Sequence, residues 1–127
     1  MLADSPVHPV LLATDLDAAR EFYHTKLGLP IVADRGEIGI EFGCGDGTKL
    51  IITTSTTGTA ETQTKIRWTV ADLEATLAEL RLRDVKIEEY DSPELKTEDG
   101  VADFGFARIA WIVDPGGNAL AIMQERT

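Results

Sequence analysis

HPVLLATDLDA, residues 8–18, and KIRWTVADLEA, residues 65–75, decide the fold. Asp15-Leu16 recurs as Asp72-Leu73, and Ala18 as Ala75, each 57 positions later. A repeat of this kind means two copies of one supersecondary unit. Each copy opens with a strand-like run, His8–Ala13 and Lys65–Val70. A helical pattern follows: Leu16, Ala19, Phe22, Tyr23 and Leu27 in the first copy, Leu73, Leu77 and Leu80 in the second. Thr14 with Asp17 reads as a capping box, satisfying amides at the helix start. Asp72 reads as an N-cap. Gly28 is placed to end the first helix, because it tolerates a left-handed backbone.

Three strands are expected after each helix. In the first half they are Ile31–Asp34, Ile38–Cys44 and Thr48–Thr54. In the second they are Ile87–Asp91, Gly105–Val113 and Ala119–Gln124. The last turn of each half is glycine-rich, Gly45-Asp46-Gly47 and Pro115-Gly116-Gly117-Asn118, a hairpin signal. Gly47 with Gly117, Leu50 with Leu120 and Ile52 with Ile122 share an offset of 70. The offset thus grows by 13 within the module, and residues 92–104 take up the difference. That segment reads as a lid or as an ordered surface excursion. The expected organisation is a single domain over residues 1–127: module one at about 6–55, a Thr-, Ser- and Gly-rich linker at about 55–64, and module two at about 65–125.

Bulk properties narrow the function. The chain has 127 residues and a formal net charge of −10, from 12 basic and 22 acidic side chains. That balance argues against nucleic acid, whose phosphates need clustered bases. It suits a soluble protein or a cationic ligand. Cys44 is the single cysteine, so no intrachain disulfide forms. No signal peptide is read at the N-terminus, and no apolar run approaches the roughly 18 residues of a membrane helix. A cytoplasmic protein without membrane contact is expected.

Residues 8–30, HPVLLATDLDAAREFYHTKLGLP, and 111–124, WIVDPGGNALAIMQ, resemble the vicinal oxygen chelate superfamily. It includes glyoxalase I, extradiol dioxygenases, fosfomycin-resistance enzymes and bleomycin-resistance proteins. The resemblance implies an α+β fold. Two βαβββ repeats would form a curved mixed sheet with a concave ligand cavity and helices outside, in a homodimer. It also implies where metal ligands would stand: seven residues before each Asp-Leu, and three residues after the Asn of the last turn with its repeat equivalent. Here these are His8, Lys65, Ala121 and Ile51. One imidazole does not hold a catalytic divalent ion, for which three or more ligands are usual. No metal or other cofactor is therefore expected.

The wall of the implied cavity is expected to include His8, Leu12, Phe42, Lys65, Arg67, Phe104 and Trp111. Alternation puts Lys65, Arg67 and Thr69 on one face, with Ile66, Trp68 and Val70 under a helix. The two cations either clamp a carboxylate, phosphate or carbonyl of a ligand or pair with acids such as Glu41 or Asp103. The aromatics suit stacking or core packing. His8 is a strand-end histidine, a cavity hydrogen-bonder or an acid–base group. His24 reads as a surface residue, and Cys44 as a structural thiol. No catalytic residue is assigned. The expected function is binding of an aromatic or cationic antibiotic, giving resistance by sequestration without turnover. The alternative is a metal-dependent lyase, isomerase or dioxygenase of the same superfamily. Sensing of a metabolite is a third reading.

Overall fold

Asp15 and Asp72 fix the starts of the two helices. In the computed structural model, which describes residues 2–55 and 63–126, each carboxylate accepts from the amide three residues on. Ala18 N and Ala75 N both lie at 3.0 Å. The capping box expected at Thr14 is therefore shifted by one residue: Asp15 has the extended backbone of an N-cap and Thr14 lies outside. Asp15→Ala should cost about 1 kcal/mol, read as a lower urea midpoint with an unchanged slope.

Helix α1 spans Leu16–Arg20 and continues as a π-helical turn over Glu21–Lys26. The wider turn buries two consecutive aromatics, Phe22 and Tyr23. Gly28 ends it at φ 75°, as expected. His24 is exposed and its Nδ1 lies 2.8 Å from the Leu29 carbonyl, tying down the exit chain. Helix α2 spans Leu73–Leu82 and buries Leu73, Leu77 and Leu80.

Each repeat closes its own four-stranded mixed sheet, and two compact units carry the two halves of the chain. In the first, β1 (Val10–Ala13), β2 (Ile31–Asp34), β3 (Gly39–Gly43) and β4 (Lys49–Thr54) lie in the order β1-β4-β3-β2. In the second, β5 (Thr64–Thr69), β6 (Ala102–Asp103), β7 (Ala107–Val113) and β8 (Ala119–Glu125) lie as β5-β8-β7-β6. This is an α+β fold of two βαβββ modules. Both sequence offsets reappear in the register. Val10 pairs Ile51 and Leu11 pairs Ile52, while Arg67 pairs Ala121 and Trp68 pairs Ile122. First partners are 57 apart and second partners 70 apart.

The expected strand Ile87–Asp91 is an extended segment with a single bond to the sheet, Glu88 N to Trp111 O at 2.8 Å. The reason is competition. Tyr90 N donates to Thr97 Oγ1 at 2.8 Å, and Thr97 N donates to Tyr90 O at 2.9 Å. The backbone of Tyr90 is thus engaged by residues 92–104 instead of by β7. That segment is ordered: Asp91 bridges Lys96, Glu98 bridges Val101, and Thr97 is buried. Its end returns as β6 beside β7. At Gly100, φ 83°, any Cβ would collide with the Ile87 side chain, so this approach requires glycine.

The hairpin between β7 and β8 closes on its own side chains. Asp114 accepts from Asn118 N at 2.8 Å and from Asn118 Nδ2 at 2.8 Å, both residues being buried. The expected linker, Ser55–Thr64, falls mostly outside the described residues; Thr64 already belongs to β5. Among the described residues no helix is long and apolar enough to cross a membrane.

Candidate functional site

Arg67 on β5, Ala121 on β8 and Trp111 on β7 are register partners in one row. Directly paired residues share a sheet face, and neighbouring strands are about 4.8 Å apart, so the outer two backbones stand about 10 Å apart. Helix α2 covers the opposite face, where the Gln124 side chain accepts from Leu73 N at 2.7 Å. Alternation puts Ala121, three residues from Gln124, on the face away from the helix.

Trp111 is held from three sides. Its Nε1 donates to Thr64 Oγ1 at 3.0 Å. The Tyr90 ring meets it edge-on at 5.7 Å and 89°, and the Phe104 ring at 6.5 Å and 76°. Burial raises the Tyr90 phenol above its usual pKa, and the Glu88 charge adds to this. Tyr90 is therefore a neutral ring at physiological pH. Phe104 is 46% exposed.

Lys65 does not take the place that alternation predicts. The β5–β8 register shifts between Thr64 and Ile66, so Lys65 is the extra residue of a bulge. Thr64 instead stands opposite Ala119. Arg67 is exposed. Two acids that could have neutralised Arg67 are otherwise engaged. Glu41 lies 3.2 Å from Arg35 and 3.5 Å from Lys49, and Asp103 lies 2.6 Å from Arg126. The Arg35 hydrogen bond, assisted by Lys49 and opposed by desolvation, holds the Glu41 carboxyl below the usual range. Its contribution to stability is present above the ordinary carboxylate pKa and is lost as pH falls through the lowered value.

In the first unit, Leu12 pairs Thr53 and is 40% exposed. His8 Nδ1 accepts from Lys49 N at 3.2 Å. Phe42, expected in the wall, is instead fully buried, with its ring 5.5 Å from Tyr23. Strand alternation decides this: Phe42 shares the covered face with Leu50, while its neighbour Glu41 takes the other. The structure thus brings Arg67, Trp111 and Phe104 to one face of the second unit. It also adds Thr64 and Tyr90, which the sequence reading missed. Alternation could not find them: Thr64 owes its place to the bulge, and Tyr90 to the loop that returns past Trp111.

The metal centre implied by the resemblance does not fit these residues. A neutral imidazole has one lone pair. At His8 it is the Nδ1 pair, taken by the Lys49 amide. Ile51 and Ala121 carry no donor, and Lys65 offers an ammonium. Among the described residues no three His, Cys, Asp or Glu side chains cluster to hold an ion.

A separate depression of about 660 Å³ lies on the α2 side of the second unit, lined by Glu74, Leu77, Arg81, Asp99, Asp103 and Arg108 among others. Within it Arg108 lies 2.9 Å from Glu74, and Arg81 donates to the Asp99 backbone carbonyl at 2.9 Å. None of the seven expected wall residues lines it.

Paired βαβββ modules, each with its helix on one face of a mixed sheet, define the class of protein. The sequence model of the Glyoxalase/Bleomycin resistance protein/Dioxygenase superfamily matches residues 5–122, and the chain belongs to that superfamily. Solved structures share the fold at low identity. A glyoxalase/bleomycin resistance protein/dioxygenase from Alicyclobacillus acidocaldarius is 21% identical, with TM-score 0.75 over 98% of this chain and 93% of that one. A glyoxalase family protein from Enterococcus faecalis is 19% identical, with TM-score 0.71 over 97% and 99%. Lactoylglutathione lyase from Agrobacterium tumefaciens is 20% identical, with TM-score 0.67 over 95% and 93%. No curated protein matches in sequence.

Proposed function

We propose that this chain binds an aromatic, antibiotic-like molecule and holds it unchanged, conferring resistance by sequestration. The observation that carries this reading is the chemistry of the four positions where metal ligands would stand. One offers an imidazole whose lone pair is used, two are aliphatic and one is a lysine. The second unit instead presents an immobilised indole with an exposed phenyl ring and an exposed guanidinium. Apolar walls with few polar anchors are what small-molecule sites generally show.

The test is a thermal-shift screen with bleomycin, mitomycin and an enediyne in one arm and nickel, zinc, manganese and iron in the other. A ligand of the folded state at a hundredfold excess over its Kd adds about 2.7 kcal/mol. One antibiotic class should stabilise the protein and be recovered chemically intact in stoichiometric amount. Conversion of the drug, or stabilisation by a metal alone, would return the chain to the metal-dependent lyase, isomerase or dioxygenase reading.

A further inference from the structure

Arg67 stands apart among the seven arginines. Arg20, Arg35, Arg83, Arg108 and Arg126 each reach a carboxylate. Arg81 donates to the Asp99 carbonyl at 2.9 Å. Among the described residues, Arg67 alone of the seven has a side chain with neither ion pair nor hydrogen bond. With 22 acids to 12 bases, a guanidinium in this chain has every opportunity to find a carboxylate. The row explains why Arg67 has none. Its register neighbour Ala121 carries no charge, and the next residue across is Trp111. Trp111 is packed by Thr64, Tyr90 and Phe104, and the nearby Glu88 carboxylate lies 3.7 Å from Lys86 and forms no ion pair with Arg67.

We infer that the ligand of this face is an aromatic carboxylate, its ring against Trp111 and Phe104 and its carboxylate on Arg67. The inference deepens the binding reading above and rests on it. A guanidinium presents parallel N–H donors in a planar fork that matches a carboxylate, and it stays charged at any working pH. Trp111, already ordered, gives up little further rotamer freedom on binding. The net charge of −10 repels anions at a distance. Physiological salt screens that field over about 8 Å, so contact geometry governs affinity.

Calorimetric titration of the full chain with 1-naphthoate, 1-naphthamide and 1-naphthylmethylammonium tests this. Naphthoate should bind roughly tenfold tighter than the amide, because charge-assisted hydrogen bonds are about twice as strong as neutral ones. Arg67→Gln, an exposed substitution, should bring the two within about twofold. Arg67→Lys should keep part of the preference, since an ammonium keeps the charge without the fork. Trp111→Leu should weaken both ligands by similar factors and leave their ratio unchanged. The inference is overturned if the amide or the ammonium binds as tightly as naphthoate. It is also overturned if the preference survives Arg67→Gln, or if none of the three binds. Turnover of an antibiotic would sink sequestration and leave the carboxylate-to-amide ratio untouched, so the two failures are distinguishable.

Discussion

Phe42→Ala is expected to lose about 3–5 kcal/mol of folding free energy, the range for removing a buried phenyl ring. Phe42 is fully buried, and it leans on Tyr23, whose ring is also buried and meets Phe22 edge-on at 5.1 Å. Truncation removes transfer free energy, leaves a cavity and ends the contact with Tyr23. Against a typical total of about 5–15 kcal/mol, this is a large fraction. Urea unfolding followed by circular dichroism reads the effect as a fall in midpoint. Phe104→Ala is the control: at 46% exposure it should cost under about 1 kcal/mol. Similar losses for the two variants would mean that Phe42 is not the core residue described here.

Asp114→Ala should cost about 2–4 kcal/mol, because it removes charge-assisted bonds and strands buried donors. Asn118 is 1% exposed, and both its backbone N–H and its Nδ2 donate to the Asp114 carboxylate. Asp114→Asn keeps the shape and one acceptor oxygen, so it should lose markedly less. Thermal unfolding of the three proteins at one pH checks the order wild type, Asn, Ala. Equal stabilities for the alanine and asparagine variants would show that the turn is held by backbone geometry alone. Asp91, exposed at a surface bridge, provides the contrast: Asp91→Ala should stay within about 0.5 kcal/mol of the parent.

The repeat was legible because it is written in local signals. Asp15 and Asp72 precede helices, Gly28 follows one, and the last strand of each half pairs in parallel with the first at the predicted spacing. The first module, with short connections, matched expectation nearly residue for residue, Ile31–Asp34 included. The second departed where its 13 added residues lie. There Thr97 captures the backbone of Tyr90, and β6 forms from residues 102–103.

The candidate site divides in the same way. The sequence by itself determined the superfamily, the two-module fold and the residue types at the four ligand positions, since offsets and motifs are one-dimensional properties. It could not determine which side chains share a face. A single bulge at Lys65 puts Thr64 opposite Ala119, and Tyr23 of the π-helical turn packs on Phe42 in the core. Nor could it say which arginine lacks a partner. Period-two alternation holds only while the ladder is unbroken, and an ion pair depends on residues distant in the chain. Those two facts, the place of Thr64 beside Trp111 and the unpaired Arg67, were settled by tertiary packing alone.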